Sequence, residues 1–484
     1  MKKSLIVCLA CCLLLPCFAA CKKEPSGTEK TTGTTPASSV KEEQTTAPEL
    51  FPDRDLGVAE FRVLMSTEMQ AYCWAEEEGA SQVSDAVYSV YQAVEEKYGL
   101  NFVMDFESSQ GKNTAKFNAK IENGVMSGYG KGYDLIMGQM HSISLAAQGY
   151  YKNLAKLDGL NLDADYYYHS INDSSTIEGQ LYAVAGAYNM DKVSMSIVYF
   201  FNKSLHEDLF DGGEFSDLYE MVEDNSWTFE NMRKMVIAAA TENGDGQWDE
   251  KDRYGLIGTN TGVAALVGSG IVSVTQDAEA GYKLTFYGDR LEGIYSSYLD
   301  LFGREGVRVD GSYKNEAIFT SGNALFYSTH VNRLGVMNGL TSFKIGVLPF
   351  PKYEAEGDYR TYVNRSEMLF IPTNADADVS VTVMEYLNYL FLQDVVTAYW
   401  NQSLTSRFVA DPIDAVMLEK ARSCVFEDFG LTYTSLLDYF YAAAGDNLMK
   451  GTELVGWWGG ISESVDGKIK ALVEQYHEMA SKNY

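Results

Sequence analysis

Histidine is scarce in this chain. Five occur among 484 residues (His141, His169, His206, His330 and His477), too few for a histidine-rich zinc centre or a proton relay. Positive charge is scarce as well: 38 Lys and Arg stand against 67 Asp and Glu, a net charge of −29. That balance repels phosphate backbones and anionic membrane surfaces, which excludes a role built on non-specific nucleic-acid binding. Of seven cysteines, five (Cys8, Cys11, Cys12, Cys17 and Cys21) lie in the first 21 residues. Only Cys73 and Cys424 remain for the rest, so no disulfide framework exists. Catalytic signatures are missing too: no Walker phosphate loop, no G-x-S-x-G elbow, no H-E-x-x-H helix. The glycine-rich stretches Gly128–Gly132 and Gly268–Gly270 lack the placement of a dinucleotide fingerprint and read as loops. No repeat of about 20 to 50 residues is present.

What the chain has is a folding composition, 46% apolar and 22% charged. At about 150 residues per domain its length suggests three domains, or two large lobes once tails are set aside. Met1-Lys2-Lys3 followed by the apolar run Leu5 to Ala20 reads as a secretory signal over residues 1–20, too short for a confident membrane span. Small residues before Cys21 and lysines after it resemble the lipobox of bacterial lipoproteins, although Phe18 stands where leucine is usual. Lipidation of Cys21 and anchoring at the outer face of the cell membrane are the expectation; simple cleavage near Ala20 is the alternative. Residues 22 to about 57, rich in Thr, Ser, Pro, Gly and Glu, read as a flexible tether.

The body then alternates. Phe61–Ser66 has strand character. Val83, Val87, Val90, Tyr91, Val94 and Tyr98 recur at helical spacing before Gly99. Phe102–Phe106, a helix-compatible stretch over 115–126 and Tyr133–Met137 follow. Strand, helix, strand, helix, strand predicts a parallel α/β sheet with crossovers. Residues 199–317 mix helical stretches (His206–Glu223, Thr228–Ala240, Gly293–Phe302) with short strands such as Tyr282–Phe286. Ala324–Ser328, Phe343–Leu348 and Glu367–Ile371 return to strand patterns, and the chain from about Val379 is mainly helical.

Several stretches resemble the extracellular solute-binding proteins of bacterial ABC importers, above all the lipoprotein-type carbohydrate binders. They are Asp134–Gly138 with Ala146–Leu154, Gly179–Val184, Phe200–Lys203, Leu218–Val222 with Ser226–Met232, and Ile345–Lys352. In the fourth, Thr228 would cap a helix. The resemblance implies a two-lobe periplasmic-binding fold of class II type with a hinge: lobe 1 from 58–198 plus 318–378, lobe 2 from 199–317 plus 379–484. It implies a monomer that closes on a solute, most simply a mono- or oligosaccharide, and hands it to separate permease subunits. It implies no catalysis. A surface-anchored glycoside hydrolase and a binder of peptides or other solutes are the alternatives.

Ligands of parallel sheets bind at the carboxyl ends of strands, and sugar sites combine aromatic rings with amide, acid and guanidinium groups. The candidates are therefore Trp74, Gln139, His141, Tyr188, Asn189, Asn260 with Thr261, His330 with Asn332, Arg365, and the pair Trp457 and Trp458, read as a glycine-flanked loop. Trp227 and Trp400 are assigned to the core. Thr241–Asp252 spaces oxygen side chains (Asn243, Asp245, Gln247, Asp249, Asp252) as a calcium-wrapping loop does, with Gly246 at the sixth position. Thr241 at the first position and the short Asp252 at the twelfth depart from that pattern, so structural calcium and a plain Asx–Gly turn both remain open. No other cofactor is expected. Cys73 and Cys424 are expected to be buried, unpaired thiols, with a bridge between them as the open alternative.

Overall fold

The computed structural model describes residues 51–277, 281–337, 339–365, 367–404 and 411–481. The expected signal segment, Cys21 and most of the tether lie outside the described residues. The unit Asp53–Tyr484 contains every element described below.

The first sheet begins with β1 (Glu60–Ser66), β2 (Asn101–Glu107) and β3 (Leu135–Gln139), all parallel. The crossover between β1 and β2 includes helix Gln82–Tyr98. Ser81 and Ser84 exchange side-chain and backbone hydrogen bonds at its start, Gly99 closes it at φ 67°, and its buried residues are the six that carried the helical spacing. Helix Thr114–Met126 makes the second crossover and buries Phe117 and Ile121.

The chain then enters a second sheet. Its strands are β4 (Ile197–Asn202), β5 (Tyr254–Gly258), β8 (Val307–Arg308), β9 (Ala324–His330) and β10 (Ile345–Leu348), in the order β10-β4-β9-β5-β8. Between β5 and β8, β6 (Val274–Asp277) and β7 (Gly281–Leu284) form a separate antiparallel ribbon. Finally β11 (Glu367–Phe370) returns to the first sheet, antiparallel to β3. Helices cover the remainder, among them Ala377–Leu390, Phe440–Met449 and Ser462–Ser481. None in the described residues is long and apolar enough to cross a membrane.

Three sequence expectations need correction. Residues 318–378 were assigned to the first lobe, yet β9 pairs with β4 and β5, and β10 with β4, in the second sheet; of that stretch only β11 joins the first. The reason is that β9 and β10 are buried at every position, so they have no polar face to report which sheet they belong to. Helix Ala377–Leu390, placed with the second lobe, lies on the first: Tyr386 meets Tyr98 at 5.7 Å between ring centroids. The stretch His206–Glu223 is two helices, Lys203–Phe210 and Leu218–Glu223, broken where Gly212 takes φ 66°. Trp227 and Trp400 are buried as expected, and Thr228 caps helix Phe229–Ala239 through Asn231.

The two sheets are joined where three segments run side by side. The Ile197 amide donates to the Tyr362 carbonyl (2.9 Å) and the Asn364 amide to that of Met195 (3.1 Å). The amides of Val331 and Asn332 donate to Ser196 (3.0 Å) and Ser194 (2.9 Å). This short ribbon carries the chain between the sheets and leads directly into Arg365.

Candidate functional site

Beside the ribbon lies a cavity of about 300 Å³. One wall is the carboxyl edge of the first sheet: Gln110 and Gly111 after β2, then Gln139, Met140 and His141 from the end of β3. A second is the ribbon itself, Tyr362 to Arg365. The third comes from the loops between the C-terminal helices and includes Glu427, Thr434 and Tyr439. Parallel strands place their carboxyl-end loops on one side of the sheet, which is why two stretches far apart in sequence meet here.

His141 and Tyr439 both line this cavity and touch edge to face, with ring centroids 5.7 Å apart. Burial holds the His141 imidazole below its ordinary pKa, so it stays neutral, and its buried Nδ1 has no hydrogen-bond partner. Tyr439 remains 47% exposed. It and Asp438 adopt left-handed backbone conformations, φ 57° and 55°, a cost of about 1–3 kcal/mol each that surrounding structure must sustain. The result is a polar, partly aromatic hollow, suited to a small neutral or charged solute with hydroxyl groups.

A buried polar network underlies the Gln139 wall. The Gln139 amide donates to Ser109 Oγ (3.3 Å), which bonds Ser66 Oγ (3.0 Å); Ser66 Oγ lies 3.3 Å from Glu367 Oε1. Glu367 sits opposite Gln139 in the β3–β11 register and is fully buried. Burial first, and then the nearby Asp191 carboxylate, push its pKa up to about 8. Fully buried Lys192 donates to Asp191 Oδ2 (2.9 Å) and to the Glu367 carbonyl (3.1 Å).

Three sequence candidates therefore line the cavity: Gln139, His141 and Arg365. His330 stands one shell behind. It is fully buried, its Nε2 accepts from Asn364 Nδ2 (3.0 Å) and, more loosely, Asn260 Nδ2 (3.4 Å), and its Nδ1 pairs with the Tyr313 hydroxyl (3.1 Å). Burial, then Arg365 and Arg333, lower its pKa to about 4. Asn332 bonds Met195 Sδ, and Thr261 is buried at the start of helix Thr261–Gly268.

The rest lie elsewhere. Tyr188 is fully buried with its hydroxyl on Tyr91, Asn189 is buried in the same core, and Trp74 rests edge-on against Tyr91 at 4.7 Å. The pair Trp457 and Trp458 is not in a loop. Both lie in helix Leu454–Gly459, and Trp458 is buried among Phe286, Tyr287 and Phe440; the partner that such rings need is the core itself.

Within Thr241–Asp252 the oxygens face the loop's own amides. Asn243 Oδ1 accepts from Asp245, Asp245 Oδ1 from Gln247, Asp249 Oδ1 from Lys251, and buried Asp252 from Asn243 and Asp249. Among the described residues no group of three or more His, Cys, Asp or Glu side chains is placed to hold a metal. These are the hydrogen bonds of Asx turns. Cys73 and Cys424 are both free thiols, Cys73 buried with Sγ 3.3 Å from the Tyr188 carbonyl.

Gln110, Tyr362, Asn364, Glu427 and Tyr439 were not singled out in the sequence. Gln110 follows a strand and was accessible to the strand-end rule; Tyr439 sits amid Tyr-rich helical sequence with nothing to distinguish it.

No protein-family model matches the chain, and no curated protein matches it. Solved structures do. The cyclic α-maltosyl-1,6-maltose binding protein from Arthrobacter globiformis is 14% identical with a TM-score of 0.54, over 87% of this chain and 99% of that one. An ABC transporter solute-binding protein from Thermotoga lettingae bound with α-D-tagatose is 12% identical (TM-score 0.49, 87% and 99% covered). The maltose/maltodextrin-binding domain MalE from Bdellovibrio bacteriovorus bound to maltotriose is also 12% identical (TM-score 0.48, 88% and 99%). The fold shared with the Arthrobacter protein is the two-lobe periplasmic-binding fold.

Proposed function

We propose that this chain is an extracellular solute-binding receptor of an ABC importer that takes a mono- or oligosaccharide into the cavity beside the ribbon. The observation that carries the reading is the convergence of Gln139, His141 and Arg365 with Tyr439 at the strand ends and the crossing between two sheets, where such folds place ligands. The ribbon of 195–197, 330–332 and 362–364 would act as the hinge, and closure would bring the second sheet toward Gln139 and His141. The name of the Arthrobacter structure supports carbohydrate as the class.

The chain binds without turnover on this reading. Hydrolysis of a glycoside needs two carboxyl groups about 5–10 Å apart across the cleft, and Glu427 is the only acid among the described residues lining the cavity. Lipidated Cys21 would hold the receptor at the outer membrane face, and permease subunits would receive the sugar. A thermal-shift screen of the full chain against mono- and oligosaccharides, amino acids and short peptides tests the assignment. A ligand that binds only the folded state stabilises it by about 2.7 kcal/mol at a hundredfold excess over Kd. A sugar hit with the sugar recovered intact is the expected result; a response to peptides alone removes the carbohydrate class.

A further inference from the structure

Three described arginines form no ion pair: Arg253 is held by the Ala239 carbonyl and Thr241, Arg360 lies over the Phe426 ring, and Arg365 faces the cavity. The other eight form ion pairs, Arg333 with Glu316 at 2.7 Å and Arg290 with Glu354 at 2.8 Å among them. Arg365 lines the cavity, is partly buried, and among the described residues forms no ion pair. In a chain with 67 acidic side chains, carboxylates to pair with it are abundant, yet Glu427 is the one acid that shares its cavity among the described residues, and it is not in ion-pair contact with Arg365.

Three groups that sense its charge are neutral near pH 7. Buried His330 is held neutral with its pKa near 4, the Tyr313 hydroxyl is pushed above its usual range, and Glu367 carries its proton up to about pH 8. Glu427, the other charged residue of the wall, is 6% exposed, has interactions of its own and forms no ion pair with Arg365. A guanidinium in a concave, partly desolvated wall with no ion-pair contact is stabilised by a ligand that supplies one.

Resting on the carbohydrate reading above, we infer that the solute is an acidic sugar whose carboxylate, as in a uronic-acid residue, is received by Arg365. The planar guanidinium fork matches a carboxylate with two parallel hydrogen bonds. Asn364, Gln139 and His141 then serve the hydroxyl groups, and Tyr439 supplies an apolar face. The charge of the whole protein opposes an anionic ligand at long range, so selectivity rests on this one local cation.

Calorimetric titration of the full chain tests this with matched probes: di- and trisaccharides of galacturonic and glucuronic acid, their methyl esters, the neutral galactose and glucose counterparts, and a sulfated neutral disaccharide. The ester keeps the size of the acid and removes its charge. The inference predicts that one free acid binds about tenfold or more tighter than its ester and its neutral counterpart. It also predicts that the acid-to-ester ratio falls to about one in Arg365→Gln and is partly kept in Arg365→Lys. If the variants do not fold, the wild-type ratio decides alone. Neutral sugars binding as tightly as acids would overturn the inference and leave the receptor reading standing; preference for the sulfated sugar alone would overturn the carboxylate. Absence of binding to every sugar would overturn both.

Discussion

His330 Nε2 accepts a hydrogen bond from Asn364 Nδ2 at 3.0 Å, and Asn364 is the residue that delivers Arg365 to the cavity. An acceptor at Nε2 requires the neutral imidazole, and burial together with Arg365 and Arg333 keeps it neutral by lowering the pKa from 6.5 to about 4. The unfolded chain binds the proton between those values and the folded chain does not, so this contribution to stability is complete above about pH 6.5 and is lost as pH falls toward 4. His330→Gln removes that slope. Melting curves of both proteins from pH 4 to 7 are expected to converge at the acid end; parallel curves would contradict the assignment.

Glu367 works in the opposite sense. Its folded pKa of about 8 lies above the ordinary 4.5, so its contribution is full below about pH 4.5 and is lost as pH rises through 8. Glu367→Gln, which keeps size and stays neutral, is expected to match the wild type at pH 5 and exceed it at pH 8.5, by an amount on the order of a few kcal/mol. Denaturant unfolding at both pH values measures it, and equal stabilities at pH 8.5 would refute the buried-acid account.

Trp458 fills the space between Phe286, Tyr287 and Phe440. Trp458→Ala should cost about 3–5 kcal/mol of stability, as large-to-small core changes do. Trp457→Ala, on the partly exposed neighbour, should cost clearly less. Comparable losses from the two would mean that the ring contacts have been misassigned.

The Thr241–Asp252 loop should be indifferent to calcium. Its oxygens already accept from its own amides, so chelator and excess calcium are expected to give the same melting temperature, whereas Asp252→Ala, which strands the Asn243 and Asp249 amides, should lower it. A rise of several degrees on adding calcium would show that the loop rearranges to wrap the ion.

The fold was legible wherever one face of an element is buried and the other is not. Helix Gln82–Tyr98 declared its core face through six spaced residues and its end through Gly99. β9 and β10, buried throughout, could be recognised as strands but not assigned to a sheet. The cavity lining was legible in part, through the rule that strand ends and crossings carry ligands: it named Gln139, His141 and Arg365. Tyr188 and Trp458 are buried in the core instead, because an aromatic ring in a crossing or next to a glycine looks the same in sequence whether it meets a ligand or the core. Glu427 and Tyr439 come from the loops between the C-terminal helices, which reach the cavity through tertiary packing that local sequence does not encode.

The central claim is that a sugar occupies the cavity whose wall holds His141 and Tyr439. Its most direct test is equilibrium binding of the best sugar from the screen to the wild type and to the double variant His141→Ala, Tyr439→Ala, with folding of both verified by circular dichroism. The account predicts that the wild type binds and that the folded variant loses at least about tenfold in affinity, the loss of one aromatic and one polar contact. A folded variant that binds the sugar as tightly as the wild type would place the ligand elsewhere and contradict the account.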